Sequence, residues 1–107
     1  MRDNLDAWRA ALGRACYFAY CDQFGPRHVV ELVGARRVVA RAGADTPEQA
    51  AVEATQALLK RLERATLEAG EAETRLLARG IEHVRAALEV LGLGALSDKG
   101  ALSDSGT

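Results

Sequence analysis

The chain has 107 residues, the length of a single domain, with 49% apolar residues and a formal net charge of −1. That is the composition of an ordinary globular domain. It gives no global pull toward nucleic acid or anionic lipid, and no stretch approaches the roughly 20 apolar residues of a membrane-spanning helix.

The N-terminus, Met1-Arg2-Asp3-Asn4, has an acid and a helix cap, unlike a signal peptide, which has a basic and then an apolar segment. A cytoplasmic protein with reduced cysteines is therefore expected. Asp3 and Asn4 are good capping residues. Leu5, Trp8, Leu12 and Ala15 follow at helical spacing, so helix 1 starts near residue 4. Two readings stand for what comes next. Gly13 closes the helix and residues 15–20 form a strand, or the helix continues to Phe24 and stops at Gly25-Pro26. In the first reading Asp22 to Arg27 is a loop. Residues 28–33 then read as a strand, Gly34-Ala35-Arg36-Arg37 as a turn with Gly34 available for positive φ, and residues 38–42 as the returning strand. Valines fall on both faces of this hairpin, which predicts a sheet covered on both sides.

Thr46-Pro47-Glu48-Gln49 is a strong helix start. Thr46 can cap the backbone at Gln49, the Gln49 side chain can reach back, and Pro47 occupies the first helical position. Helix 2 is expected over 46–69, with Ala51, Val52, Thr55, Leu58, Leu59, Leu62 and Ala65 as its buried stripe and Gly70 as its stop. Helix 3 is expected over 71–92. Leu77, Ile81, Val84, Leu88 and Leu91 repeat at 4-3-4-3 spacing, a seam for helix 2 or for helix 3 of a second subunit. Glu71–Arg75 and Arg85–Glu89 are i,i+4 charge pairs. The remaining residues, 93–107, hold a duplicated Gly-Ala-Leu-Ser-Asp and read as a disordered tail, or as a short docking peptide built on its leucines. The fold expected is α+β, in the order α-β-β-β-α-α. It has a small antiparallel sheet of two or three strands with helices 1 and 2 on one face. The C-terminal helix covers the second face or dimerises. Residues 1–92 form the single domain.

Little in the chain carries chemistry. Cys16, Cys21, His28 and His83 match a zinc site in number but not in spacing. Cys16 or Cys21 with His28 and Asp22 would be a nucleophilic set, yet nothing marks a thiol as activated. Gly34 and Gly43 form no phosphate loop. No cofactor, no metal and no enzymatic activity are expected. The candidate surface is the basic hairpin: Arg27, Arg36, Arg37 and Arg41 with His28, against the single acid Glu31 between Pro26 and Gly43. Such a patch suits an acidic protein surface or nucleic-acid phosphates.

The order α-β-β-β-α, with Gly25-Pro26-Arg27-His28 before a strand and Ala50-Ala51 through Ala57-Leu58 in the following helix, resembles the double-stranded-RNA-binding domain. That family places paired lysines at the start of its last helix. Here the position reads Thr46-Pro47-Glu48, which does not suit phosphate. Asp3-Asn4-Leu5-Asp6-Ala7-Trp8, and Ala44-Asp45-Thr46 followed by Ala50, Ala54 and Ala57-Leu58-Leu59, look like the first and last helices of small bacteriophage proteins of the ABA-sandwich type. The same segment looks like antitoxins of the HicB type. The phage resemblance implies a small accessory protein acting on a host machine. The leading expectation is a non-enzymatic protein-binding module that inhibits a host complex by occupying its site. A nucleic-acid-binding regulator using the same arginines is second, and a homodimer built through helix 3 third.

Overall fold

The computed structural model describes residues 2–103. Six elements follow in order: α1 (Arg2–Arg14), β1 (Phe18–Phe24), β2 (Arg27–Gly34), β3 (Arg37–Ala44), α2 (Pro47–Glu68) and α3 (Glu71–Ser103). The fold is α+β, with an antiparallel three-stranded sheet in the order β1-β2-β3.

Of the two readings after Gly13, the strand is the one realised, but Gly13 is not the stop. The Tyr17 amide donates to the Leu12 carbonyl and the Cys16 amide to that of Gly13, at 3.0 and 2.9 Å. These are the paired bonds of a Schellman motif, with Cys16 in the left-handed position at φ 65°. Glycine is the usual occupant there, and a side chain costs about 1–2 kcal/mol. β1 starts and ends later than expected, and the loop shrinks to the two-residue turn Gly25-Pro26, with Gly25 at φ 61°. In the β2–β3 turn the positive φ values belong to Ala35 (53°) and Arg36 (68°), not to Gly34. Two consecutive left-handed residues make the turn whose twist matches a two-residue hairpin.

Gly34 has a different task. A Cβ built on it would lie 2.6 Å from Cε1 of Tyr17, so the Tyr17 ring rests directly on the strand backbone. Burial raises the phenol above its ordinary value of 10.0, against a smaller opposing pull from the Arg61 charge. The raised value favours the protonated phenol in the native state. Its contribution is therefore complete below pH 10.0 and is lost as pH rises through the folded value. Unfolding free energy measured in urea between pH 9 and 11 is expected to fall less steeply in Tyr17→Phe than in the native chain. Parallel slopes would show that Tyr17 is not the group responsible.

Thr46 has extended backbone, and its hydroxyl accepts from the Gln49 amide at 3.1 Å. That cap is worth about 1 kcal/mol. The reciprocal half of the expected box is absent, because the Gln49 side chain donates to Glu53 at 2.9 Å instead. α2 ends at Glu68 through an extended Ala69, and Gly70 has no positive φ. Gly70 instead opens α3: its carbonyl accepts from both the amide and the hydroxyl of Thr74, at 2.8 Å each. α3 extends to Ser103, past the end expected at residue 92. The last four residues of the expected tail lie outside the described residues.

The buried face of the sheet carries Val30, Leu32, Ala40 and Ala44, and α2 lies across it with Ala50, Ala51, Ala54 and Leu58. The alanines let helix and sheet approach closely. A bulge after Leu32 breaks the register of β3 and leaves Val39, next to the buried Ala40, packed against the core. α1 lies over β1 on the same side of the sheet and supplies Trp8, Ala11 and Leu12 to the core. Trp8 Nε1 donates to Thr55 Oγ1 at 2.8 Å, and Thr55 donates in turn to the Ala51 carbonyl at 2.6 Å. This chain of bonds satisfies the one fully buried polar side chain among the described residues.

α3 does not cover the second face of the sheet; of the two partners expected for its seam, helix 2 is the one it meets within the chain. It packs on α1 and α2, away from the sheet. Its seam is used inside the chain: Val84 and Leu91 are buried, Leu77 and Ile81 pack half-buried against the core, and Leu88 is half-buried beside them. Arg85 does not pair with Glu89 but crosses to Glu63 on α2 at 3.0 Å. The second face of the sheet is left without a helix.

Candidate functional site

Strand register assigns residues to that uncovered face. Residues directly opposite one another in an antiparallel pair point to the same side. Phe18 faces Val33, Tyr20 faces Glu31, Asp22 faces Val29 and Phe24 faces Arg27. Across the other ladder, Val33 faces Val38, Glu31 faces Arg41 and Val29 faces Gly43. The core-side residues Val30 and Leu32 alternate with these, so the whole set lies on the open side. Phe18, Tyr20 and Phe24 are 61%, 57% and 61% exposed, and Val38 is 48% exposed.

Three aromatic rings thus line the β1 edge of one sheet face, with valines beside them. Charged groups sit among them in balance. Arg41 pairs with Glu31 at 3.5 Å, a solvent-facing pair worth under about 1 kcal/mol. Arg27 Nη2 donates to the Gly43 carbonyl at 2.8 Å. A Cβ at Gly43 would lie 3.3 Å from that nitrogen, so any larger residue would require the guanidinium to shift by a few tenths of an ångström. Asp22 offsets the second cation.

The basic hairpin expected from the sequence does not form one patch. Arg27 begins β2, while Arg36 and Arg37 lie in and just after the turn at its far end. Seven strand residues separate the two ends, about 23 Å. Arg41 is engaged with Glu31 midway. His28 points to the helix-covered side and is half-buried. Of the expected surface residues, only Arg27 and Arg41 share the open face. Phe18, Tyr20, Asp22, Phe24 and Val38 were absent from that set. Their signal is present in the chain as the period-two run Phe18-Tyr20-Asp22-Phe24, which a loop assigned from Asp22 onward conceals.

The thiol and imidazole groups are dispersed. Cys16 sits in the α1–β1 link, and Cys21 lies on the α1 side of β1, where its Sγ accepts from Arg9 at 3.2 Å. Asp22, adjacent in the strand, points to the opposite face, so it cannot join Cys21 and His28 in one site. Among the described residues no three metal-ligating side chains gather. Among them, too, no helix is long and apolar enough to cross a membrane. Comparison with known proteins finds no matching family model, no matching curated protein and no matching solved structure.

Proposed function

We propose that the chain is a non-enzymatic protein-binding module whose docking surface is the open face of its sheet. The exposure of Phe18, Tyr20, Phe24 and Val38 on one continuous, charge-balanced face carries this reading. Isolated exposed apolar residues are ordinary, but a row of aromatics on an uncovered sheet face marks an interaction surface. Aromatics and arginine are the residues enriched at protein interfaces. The occupant is a protein surface with an apolar centre and mixed charges. Asp22 and Glu31 stand in the middle of the face and oppose a phosphate backbone, and Glu31 already neutralises Arg41. Nothing in such an action requires a cofactor. The module acts by covering its partner's site, the steric mode expected of a small accessory protein from a phage or mobile element.

The test places a photo-crosslinking phenylalanine at position 20 or, as a control, at the helix-borne Gln56, in the producing cell. One dominant protein adduct at position 20, absent at 56, is expected. The purified partner should then bind the native chain with micromolar or tighter Kd and bind Phe18→Asp and Phe24→Asp at least tenfold more weakly. An adduct of exactly two copies of this chain would reassign the face to self-association. Equal adducts at 20 and 56, or unchanged binding by the two variants, would sink the reading.

A further inference from the structure

We infer a second, independent site: the end of the molecule formed by the β2–β3 turn and the C-terminal half of α2 binds the sugar-phosphate backbone of nucleic acid. Lys60, Arg61 and Arg64 lie on one stripe of α2 at i, i+1 and i+4, and with Val39 and Ala57 they line a cleft of about 360 Å³. α2 runs back along β3, which brings this stripe to the strand's first residues. Arg37 is two residues from Val39, and Arg36 precedes it in the turn. A second route of contacts agrees: the Arg61 charge acts on Tyr17, whose ring rests on Gly34, the ladder partner of Arg37. Five cations thus gather at one end of a chain whose net charge is −1.

All five are exposed, and among the described residues the ion pairs formed are Arg41–Glu31 and Arg85–Glu63, neither of which involves them. The neighbouring carboxylates of α2 lie outside the cleft lining: Glu53 and Glu68 flank the stripe at its two ends, and Glu63 is held by Arg85 of α3. Uncompensated cations held together repel one another and raise the local potential, which an anionic ligand relieves. The shape selects the ligand class. The cleft is shallow and its apolar floor is one valine and one alanine, with no aromatic anchor for a protein hot spot and no enclosed polar wall for a small molecule. Lys60 and Arg64 are one helical turn apart, about 6 Å, and the turn arginines extend the row. Four of the five are arginines, whose planar forks pair with phosphate oxygens in two-point contacts. The polar groups of the cleft are exposed, flexible cations on one shallow stripe, suited to phosphate oxygens along a groove edge, so binding is expected to be independent of sequence.

Fluorescence anisotropy with a labelled 20-base-pair duplex tests this, with salt varied from 20 to 200 mM. Saturable binding at 20 mM is expected, with log K falling against log salt at a slope of about −2.7 to −4.5 for three to five phosphates neutralised. A duplex of scrambled sequence should bind within twofold of the first. Lys60→Glu/Arg61→Glu/Arg64→Glu should weaken binding at least tenfold while keeping the native circular dichroism spectrum. Lys60→Gln, which changes one exposed charge, should lower the slope by about 1. Arg79→Gln, an exposed α3 residue outside the cleft lining, should leave Kd within twofold. No saturable binding at 20 mM, a triple variant that binds like the native chain, or poly-L-glutamate binding as tightly as the duplex would each overturn the inference. Failure here leaves the sheet-face reading untouched, since the two surfaces share no residue.

Discussion

Replacing Trp8 with alanine is expected to remove about 3–5 kcal/mol of stability, a large part of the 5–15 kcal/mol typical of a domain. Trp8 is fully buried where α1 meets α2, and it is the largest side chain in the core. Its indole also holds a hydrogen bond, and the two contributions can be separated. Thr55→Val leaves the indole N–H buried with no acceptor, which costs about 1–3 kcal/mol. Trp8→Phe keeps most of the ring volume and leaves Thr55 still bonded to the Ala51 carbonyl. In the double variant Trp8→Phe/Thr55→Val neither group is orphaned. Urea titration of the four proteins should therefore show the double variant to be more stable, by about 1 kcal/mol or more, than the sum of the single losses implies. Additivity within about 0.5 kcal/mol would mean that the bond joining α1 to α2 contributes nothing beyond packing.

Val84→Asp is expected to abolish cooperative unfolding altogether. The side chain is fully buried in α3 among residues of this same chain, and a carboxylate there has no partner and no water. The milder Leu91→Ala should cost about 2–5 kcal/mol and keep the native fold. Protein concentration distinguishes an internal seam from one between subunits. With the seam internal, the urea midpoint of the native chain stays constant over a hundredfold dilution. A midpoint that rises with concentration, together with a folded monomeric Val84→Asp, would show that the seam joins two copies.

The heptad-like spacing from Leu77 to Leu91 identified α3 and its sticky stripe, but spacing carries no address. An apolar stripe reads the same whether its partner is a preceding helix, the sheet or another subunit. The two-residue connection Ala69-Gly70 folds α3 back on α2, and α1 closes over it, so Val84 and Leu91 of the stripe are buried within the chain and Leu77, Ile81 and Leu88 are half-buried. The open face of the sheet is the complement of this choice. Valines on both sides of the hairpin predicted two covers, yet the third helix packed on helices, and one apolar face stayed in solvent. The basic cluster on α2 is a product of the tertiary structure for a similar reason. Lys60, Arg61 and Arg64 look like an ordinary solvated stripe until α2 lies along β3 and brings them toward Arg37.

What the chain determined locally was considerable. Thr46-Pro47 starts α2 wherever it is placed, because the cap hydroxyl and the missing proline amide act within one turn of backbone. The β-branched runs on either side of Gly34-Ala35-Arg36-Arg37 fix the β2–β3 hairpin, because residues that favour extended backbone flank a short turn on both sides. Tertiary structure decided the rest: which face of the sheet is covered, that Cys16 and Arg36 take left-handed backbone, and which arginines become neighbours. Those outcomes depend on pairs far apart in sequence, such as Trp8 with Thr55 and Tyr17 with Gly34. Contacts of that kind are selected by volume and distance in three dimensions, and no periodicity along one strand or helix encodes them.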